Sequence, residues 1–307
     1  MLDNRIRARL IYNPTSGREE VRRRLPAILQ KLERGGIETS CHATEREGDA
    51  VQAASDAVER GFDLVISAGG DGTLNEVVNG LARHERRPAL GILPLGTTND
   101  FARAHGIPKR WDQACDLIVK RYTRPIDIGQ ADGKYFINIA GGGSLTQLSY
   151  EVPSKLKTMI GHLAYYIRGF EKIVSLRSFQ MKIVAEGIGE FNDEYMLFLV
   201  ANSNSVAGFE KLAPNASTGD GLFDVLLMRK CNLAEFIRIA TLAMRGEHVN
   251  DSHITLFQTS KLEVFTDDGV QLNLDGEYGG DMAASFTILP SHIHIIVDEL
   301  GESSYHR

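Results

Sequence analysis

A glycine-rich turn carries the clearest chemistry in the sequence. The apolar residues 64–67 are followed closely by the sequence GGDGT at residues 69–73, and then by apolar side chains at helical spacing. This order predicts a buried strand, a turn and a helix. Thr73 and Glu76 have the spacing of a capping box, so the helix is predicted to begin at Thr73 with unpaired backbone N–H groups facing the turn.

Such a turn is suited to bind a polyphosphate. Glycine adopts positive φ without strain and has no Cβ to block phosphate oxygens, and the helix dipole favours their negative charge. Asp71 would repel a phosphate unless a cation lay between them, which makes it a candidate catalytic group directed at Mg²⁺. On these residues alone, a tight strand-to-helix turn without any ligand is an open alternative.

Two acidic residues, Asp275 and Glu277, are a second candidate for chemistry. They lie two positions apart at the end of an alternating strand pattern, so both are predicted to face the same side across Gly276. Phosphoryl transfer needs a group that takes the proton of the acceptor hydroxyl, and one of these carboxylates could serve. Because Asp-Gly is also a common turn pair, a hairpin turn is an equal alternative.

The elements before the glycine-rich turn alternate between strand and helix. Strands are predicted at residues 5–12, 37–43 and 64–67, and helices at residues 21–34 and 48–60. This alternation predicts a parallel sheet, whose ligands bind beyond the carboxyl ends of the strands. Residues 13–17, Thr44 and the glycine-rich turn follow three such ends, so they are predicted to converge on one nucleotide.

A second loop of the phosphate-binding type follows the next predicted strand. Gly96 frees the backbone there, and the hydroxyls of Thr97 and Thr98 can donate hydrogen bonds to phosphate oxygens. Asn99 or Asp100 could also be the N-cap of the short helix that follows. Neither a Walker A sequence nor G-x-G-x-x-G occurs, so neither a P-loop enzyme nor a dinucleotide dehydrogenase is supported.

The periodicity changes from helical to alternating near Pro125. A helix is predicted at residues 111–120, before this change. An Asp132-Gly133 pair predicts a hairpin, and later strands are predicted at residues 179–185, 194–202, 222–229, 261–265, 270–275, 284–289 and 293–297. Helices are predicted at residues 155–174 and 233–244, the second capped by Asn232. The sequence thus predicts a Rossmann-like α/β domain with a parallel sheet, which binds nucleotide, and a second domain that is an antiparallel β-sandwich. The predicted divisions are residues 1–125, 126–298 and a C-terminal tail, 299–307, that is frayed or packed on the first domain.

Composition limits the classes of function. The formal net charge of -6 and the pI of about 5.9 argue against nucleic-acid binding, which needs a basic surface. Cys41, Cys115 and Cys231 lie far apart without a CxxC pair, so neither disulfides nor a zinc site is indicated. No window of the sequence approaches the roughly 18 apolar residues of a membrane span, and a cytoplasmic location is predicted.

Four motifs occur in a fixed order: residues 13–17 (NPTSG), residues 69–76 (GGDGTLNE), residues 96–100 (GTTND) and residues 275–277 (DGE). Over essentially the whole chain they resemble the soluble bacterial diacylglycerol kinases, which belong to the diacylglycerol and sphingosine kinase superfamily. Residues 149–157 and 207–212 resemble that subfamily more than sphingosine or ceramide kinases. The resemblance implies an ATP- and Mg²⁺-dependent kinase that converts diacylglycerol to phosphatidic acid at the membrane surface and serves phospholipid recycling.

The resemblance also implies roles for individual residues. It assigns the proton acceptor to the acidic pair; Glu277 is preferred, with Asp275 beside it to bind metal or raise the pKa of its partner. It implies a group of ATP-binding residues drawn from the first three motifs and from the end of the second strand. These are Asn13, Pro14, Thr15, Ser16, Gly17, Thr44, Gly70, Asp71, Gly72, Thr73, Leu74, Asn75, Glu76 and Thr97.

A structural metal site is implied by the same resemblance. Relatives of this kind hold Mg²⁺ through a carboxylate and two main-chain oxygens, which here would be Asp220 with Ser217 and Leu222. The alternative is a polar loop with a turn glycine. Arg18 and Arg168 stand where the resemblance would place lysines, which changes the geometry of any contact they make.

The predicted helix 155–174 combines an apolar stripe with a basic patch of Lys157, Arg168 and Lys172. Either this is an ordinary solvated face, or it docks peripherally on anionic headgroups. A homodimer is left open. The alternative functions are a sphingosine- or ceramide-type kinase, an NAD kinase, and a non-catalytic, nucleotide-gated lipid-binding protein; the presence of both acidic residues favours an enzyme.

Overall fold

The structure is a computed structural model that describes residues 6–143, 178–204, 212–243, 245–266 and 269–299. The chain divides into two compact units, the first comprising residues 1–128 with 289–307, and the second comprising residues 129–288. The predicted helix 155–174 and the segments 149–157 and 207–211 lie outside the described residues. Among the helices of the described part, none is long and apolar enough to cross a membrane.

The first unit alternates strands and helices around a parallel sheet. Its elements are β1 (Ile6–Tyr12), α1 (Ser16–Arg34), β2 (Ile37–Ala43), α2 (Asp49–Glu59), β3 (Leu64–Gly69), α3 (Asp71–Ala82), β4 (Ala89–Pro94), α4 (Asp100–Ala104) and α5 (Trp111–Lys120). The strands pair in the order β4-β3-β1-β2, and each of these pairs is parallel. The predicted α/β class is confirmed.

Local sequence explains how these elements begin, end and pack. All six residues of β3 are buried, as expected for a central parallel strand covered on both faces. Helix α1 ends at the predicted glycine pair, where Gly36 takes the left-handed backbone with φ +77°. Gly80 lets α3 approach α2 closely, because a Cβ there would lie 2.3 Å from the carbonyl oxygen of Val51.

The second unit is built mainly of antiparallel strands. From residue 123 onward the helices and strands described are β5 (Thr123–Ala131), β6 (Lys134–Phe136), β7 (Ile139–Gly143), β8 (Phe179–Ala185), β9 (Gly189–Ala201), β10 (Phe223–Arg229), α6 (Leu233–Ala243), β11 (Ile254–Thr259), β12 (Lys261–Thr266), β13 (Gln271–Leu274), β14 (Glu277–Asp281) and β15 (Ala284–Ile296). Residues 123–128 of β5 and 289–296 of β15 belong to the first unit. The strand order is β14-β13-β7-β9-β8-β12-β15, and β10 joins β9 to β11. The Asp132-Gly133 hairpin between β5 and β6 is confirmed.

Three features of this unit differ from the sequence-based expectation. Strands β11 and β14 were not predicted. Residues 284–296 form one strand instead of two, although Ser291 has the left-handed φ of +51°. The left-handed conformation of Ser291 is stabilised by a hydrogen bond of 2.7 Å from its N–H to the carboxylate of Asp127.

The end of β15 belongs to the first unit, whereas residues up to 298 had been predicted to lie in the sandwich domain. Ile295 pairs in parallel with Leu90 of β4. This pairing adds the returning chain to the edge of the parallel sheet, which is why the compact units divide at residue 289. The predicted tail beyond residue 299 lies outside the described part of the chain.

Candidate functional site

Three loops of the first unit meet at the carboxyl ends of β1, β3 and β4. They pack backbone against backbone: a Cβ on Gly96 would lie 2.3 Å from Cα of Gly70, and a Cβ on Gly17 would lie 2.1 Å from the carbonyl oxygen of Leu95. Gly17 also has φ +57°, where other residues are strained. The side chain of Ser16 donates to the same Leu95 oxygen at 3.4 Å. Glycine is therefore required for the three loops to approach one another.

This packing gives a prediction for Gly96. Neither backbone can yield to the added methyl of Gly96→Ala, so we expect the loops to separate and the affinity for ATP to fall roughly tenfold or more. Calorimetric titration with ATP measures this affinity, and circular dichroism checks that the variant is folded. Glu59→Ala is the control, because Glu59 is exposed at the end of α2 and lies outside the three loops. Unchanged ATP affinity in a folded Gly96→Ala protein would contradict the role of this contact.

The start of α3 differs from the prediction. The helix begins at Asp71, with Gly70 in the N-cap position at φ -96° and ψ -173°, so Thr73 is not the cap. None of the glycines at 69, 70 and 72 has positive φ. The capping box fails because the extended backbone of Gly70 enters the helix directly, and the Glu76 carboxylate instead accepts a hydrogen bond from the N–H of Ala50 at 3.1 Å. Gly70 is therefore suited to its position because the loop at Gly96 approaches it closely, and not because it takes a positive φ.

Asp71 connects the glycine-rich turn to α4. Its Oδ1 accepts a long hydrogen bond from the N–H of Phe101 at 3.4 Å, at the start of that helix. Burial raises the pKa of Asp71, and the nearby charge of Asp100 acts in the same direction, while backbone N–H groups of residues 99–101 oppose it. Asp100 is buried and its carboxylate is paired with the guanidinium of Arg103, so Asp71 is the carboxylate of the two that suits a cation here.

The side chain of Asn99 holds the second phosphate-type loop in shape. The sequence had suggested only that Asn99 or Asp100 could cap the helix that follows. It occupies the N-cap position of α4 with φ 54°, but its side chain makes no cap bond. Instead, Oδ1 accepts from the N–H of Gly96 at 3.2 Å, and Nδ2 donates to the carbonyl oxygens of Gly96 at 2.9 Å and Pro94 at 3.3 Å. The loop is thus held in shape while Thr97 and Thr98 remain exposed.

The other two predicted nucleotide-binding segments lie at the same edge of the sheet. The Asn13 side chain accepts hydrogen bonds from the N–H and the hydroxyl of Thr15, at 2.9 and 2.8 Å, which shapes the loop after β1. Thr44 follows β2, and its N–H donates to the carbonyl oxygen of Tyr12 at 2.9 Å. A cleft of about 10 Å³, room for roughly one water molecule, lies at the ends of β3 and β4 beside Asp71.

In the second unit, the acidic pair lies on a hairpin. Asp275 and Gly276 have φ values of 51° and 98°, and they join β13 to β14 between the paired residues Leu274 and Glu277. A two-residue loop with positive φ at both positions is a type I′ turn. The expectation that both carboxylates face one side of a continuing strand is therefore wrong, because the chain reverses between them.

The Asp275 carboxylate holds this hairpin in place. Its Oδ2 accepts from the N–H of Ile137 at 2.7 Å, and its Oδ1 accepts from those of Asn138 at 2.9 Å and Ile139 at 2.8 Å. Within the turn, the N–H of Gly276 donates to the side chain of Asn273 at 2.8 Å. Glu277, which is partly exposed, therefore begins β14 from a fixed turn.

The predicted structural metal site lies on another loop of the second unit. Asp220 Oδ1 accepts from the N–H of Leu222 at 3.0 Å, which forms a side-chain turn. Burial raises the pKa of Asp224, and the charge of Asp220 adds to this rise. Among the described residues there is no group of three or more His, Cys, Asp or Glu that could hold a metal ion. The fit to Mg²⁺ would therefore rest on Asp220 and the main-chain oxygens of Ser217 and Leu222 in a negatively charged setting.

Comparisons with known proteins identify the family. The family model described as "Diacylglycerol kinase catalytic domain" matches residues 7–131, and the one described as "YegS C-terminal NAD kinase beta sandwich-like domain" matches residues 148–297. A diacylglycerol kinase of Bacillus subtilis (strain 168) is 57% identical over 292 residues, which cover 95% of this chain and 96% of the relative. A diacylglycerol kinase of Staphylococcus haemolyticus (strain JCSC1435) is 49% identical over 288 residues, which cover 94% of this chain and 87% of the relative.

Solved structures agree with the sequence matches. A diacylglycerol kinase from Bacillus anthracis str. Sterne matches with a TM-score of 0.77 at 25% identity, covering 96% of this chain and 97% of that chain. An NAD kinase from Archaeoglobus fulgidus in complex with ATP, with a TM-score of 0.57 at 15% identity, shares the fold alone. On the strength of sequence identity along nearly its whole length, the chain belongs to the diacylglycerol kinase family and is a lipid kinase.

Proposed function

We propose that this kinase transfers the γ-phosphoryl group of ATP to the free hydroxyl of diacylglycerol and releases phosphatidic acid. The observation that carries the proposal is the convergence of the three glycine-dependent loops at one edge of the parallel sheet. Backbone N–H groups without intervening Cβ atoms are the usual cradle for phosphates. Residues 13–17, Thr44, residues 70–75 and Thr97 are the proposed ATP-binding group.

Chemistry at the acceptor is proposed to depend on Glu277. An alcohol attacks phosphorus faster when its proton passes to a positioned base, and a carboxylate that begins β14 directly after the fixed turn can be such a base. Asp275 orients that turn through its three backbone hydrogen bonds.

Mg²⁺ is the proposed metal, which would neutralise charge on the transferred phosphate. In the first unit, Asp71 is the proposed holder, because its partly exposed carboxylate lies at the start of α3 beside the glycine-rich turn, whereas the carboxylate of Asp100 is paired with Arg103. A second, structural ion is proposed at Asp220 with Ser217 and Leu222. The enzyme is proposed to be cytoplasmic. Because diacylglycerol resides in the bilayer, the enzyme is also proposed to work at the membrane surface through peripheral contact.

Transfer of labelled phosphate from ATP tests the proposed reaction. The acceptors are diacylglycerol, sphingosine, ceramide and NAD, the lipids being presented in vesicles with and without anionic lipid. We expect labelled phosphatidic acid, formed faster on anionic vesicles and abolished by a chelator. Transfer to sphingosine, ceramide or NAD alone would replace the proposed substrate, and ATP binding without transfer to any acceptor would favour a non-catalytic lipid-binding protein.

The structural metal site has its own test at Asp220. Asp220→Asn keeps an acceptor for the Leu222 N–H but loses the charge, while Asp220→Ala loses both. Without nucleotide, we expect Mg²⁺ to raise the melting temperature of the wild type by roughly a few degrees and to leave both variants unmoved. If Asp220→Asn responds to Mg²⁺ like the wild type, the loop is only a polar turn.

A further inference from the structure

We propose that Glu76 is a positioning residue, which fixes the turn of residues 43–46 through the start of α2 and does not itself contact nucleotide. The inference rests on the proposed function, in which that turn, through Thr44, helps to hold ATP. It revises the role that the family resemblance gives to the last residue of the GGDGTLNE motif. The contacts that support it all lie within the first unit.

The start of α2 receives its hydrogen-bond acceptor from α3. Gly48 occupies the N-cap position with φ 80° and has no side chain to accept a bond. The Glu76 carboxylate instead accepts from the N–H of Ala50 at 3.1 Å. Because Ala50 is only 1% exposed, water has little access to replace this acceptor. A negative charge at this end of α2 is also favoured by the helix dipole.

The same end of α2 holds the turn after β2. Asp49, the first residue of the helix, accepts a hydrogen bond from the N–H of Glu45 at 2.9 Å, and the N–H of Asp49 donates to the carbonyl oxygen of Arg46. The bond from Glu45 lowers the pKa of Asp49, which therefore stays ionised at neutral pH. A shift at the start of α2 would thus move the turn that contains Thr44.

A histidine of β2 anchors Asp49 from the other side. Arg9 Nη2 lies 3.4 Å from Nδ1 of His42, and His42 Nε2 lies 3.1 Å from Oδ1 of Asp49. Arginine can only donate, so Nδ1 is the acceptor and the Nε2–H donates to Asp49. The Asp49 carboxylate is consequently held between β2 and the turn, and Glu76 fixes the helix end next to it.

Helices α2 and α3 pack closely against each other, so a shift of one is expected to displace the other. At Gly80, one turn after Glu76, an added Cβ would lie 2.3 Å from the carbonyl oxygen of Val51 and 2.7 Å from Cβ of Ala54. Since α3 begins in the glycine-rich turn, the Glu76 bond joins the phosphate-binding turn to the Thr44 turn. A nucleotide bound by one turn would find the other already in position.

The test compares Glu76→Gln with Glu76→Ala. Glutamine keeps a carbonyl that can accept from the Ala50 N–H, so we expect ATP affinity within about threefold of the wild type. Alanine removes the acceptor, so we expect the Kd and the KM for ATP to rise roughly 5- to 20-fold with kcat within about threefold. Hydrogen exchange should become faster at the amides of residues 44–50 in Glu76→Ala alone. Glu59→Ala, which removes an exposed charge from the end of α2, is the control.

Two results would overturn the inference. Equal loss of ATP affinity in Glu76→Gln and Glu76→Ala, with exchange unchanged at residues 44–50, would show that the charge acts on the ligand directly. Wild-type ATP affinity in Glu76→Ala would show that the link has no effect on binding. The Kd and the hydrogen-exchange rates are measured without lipid, so a protein that binds ATP but fails to phosphorylate diacylglycerol would refute the proposed function and leave this inference standing.

Discussion

Glu277→Gln is expected to lower kcat roughly 10²- to 10⁴-fold while the Kd for ATP changes less than about twofold. Glutamine preserves the size and the hydrogen-bonding reach of the side chain but cannot accept a proton. The turn that precedes residue 277 is fixed by other side chains, so the substitution should leave the hairpin intact. Initial rates of labelled-phosphate transfer to diacylglycerol, measured beside ATP calorimetry, give both quantities.

Asp281→Asn supplies the matched control for this prediction. Asp281 is an exposed acid at the other end of β14, and its loss changes the charge of the strand equally. We expect its turnover to stay close to that of the wild type. If Glu277→Gln also turns over at the normal rate, Glu277 is not the base, and the proton must leave by another route.

Much of the secondary structure was predictable because its signals are local. The strand at residues 37–43 and the helix that begins at Trp111 and ends at Lys120 were predicted with their observed bounds. The N-terminus of α6 was predicted as well: Asn232 and Glu235 each accept a hydrogen bond from the N–H of the other, at 2.8 and 3.0 Å. In the two helices neighbouring residues alone satisfy the backbone, whereas the strand at residues 37–43 is marked by its own residues but pairs with β1.

The failures concern side chains whose partners are distant in sequence. Thr73 and Glu76 have the same capping spacing as a true box, but Glu76 bonds to Ala50, 26 residues earlier. Likewise, the glycines of the turn were predicted to allow both positive φ and the close approach of a phosphate, whereas Gly70 is extended and lies against the backbone of Gly96. The sequence shows that a side chain can cap or a glycine can turn; only packing decides which contact forms.

The acidic pair shows two local rules in competition. Alternation placed Asp275 and Glu277 on one face of a strand, while the Asp-Gly pair favoured a hairpin. The hairpin forms because Asp275 gains three backbone donors from residues 137–139 in its left-handed conformation. Those donors lie more than 130 residues away in the sequence, so the rule that prevails could not be chosen from the motif alone.

This geometry leads to the second large effect, which is on stability. In Asp275→Asn, the left-handed turn is retained, since asparagine tolerates it, but one carboxylate oxygen becomes an NH₂ group. Either the Ile137 N–H or the pair at Asn138 and Ile139 then faces a donor. We expect a loss of about 1–3 kcal/mol in the free energy of unfolding of the second unit, and a larger loss in Asp275→Ala. Denaturant titration with hydrogen exchange at residues 137–139 measures this.

Asp132→Asn separates the network of Asp275 from a general effect on turns. Asp132 also has positive φ, at 44°, and precedes a glycine in a two-residue hairpin of the same unit. Among the described residues, its carboxylate accepts a hydrogen bond from one backbone N–H, that of Ser285 at 3.0 Å. Asparagine can keep that single bond through its oxygen, so the cost in the free energy of unfolding should stay below about 1 kcal/mol.

In Asp275→Asn, activity should fall with stability, and high Mg²⁺ should not restore the activity, because no metal contact is lost. Partial rescue by Mg²⁺ in a variant as stable as the wild type would instead make Asp275 a metal ligand, as the family resemblance had allowed.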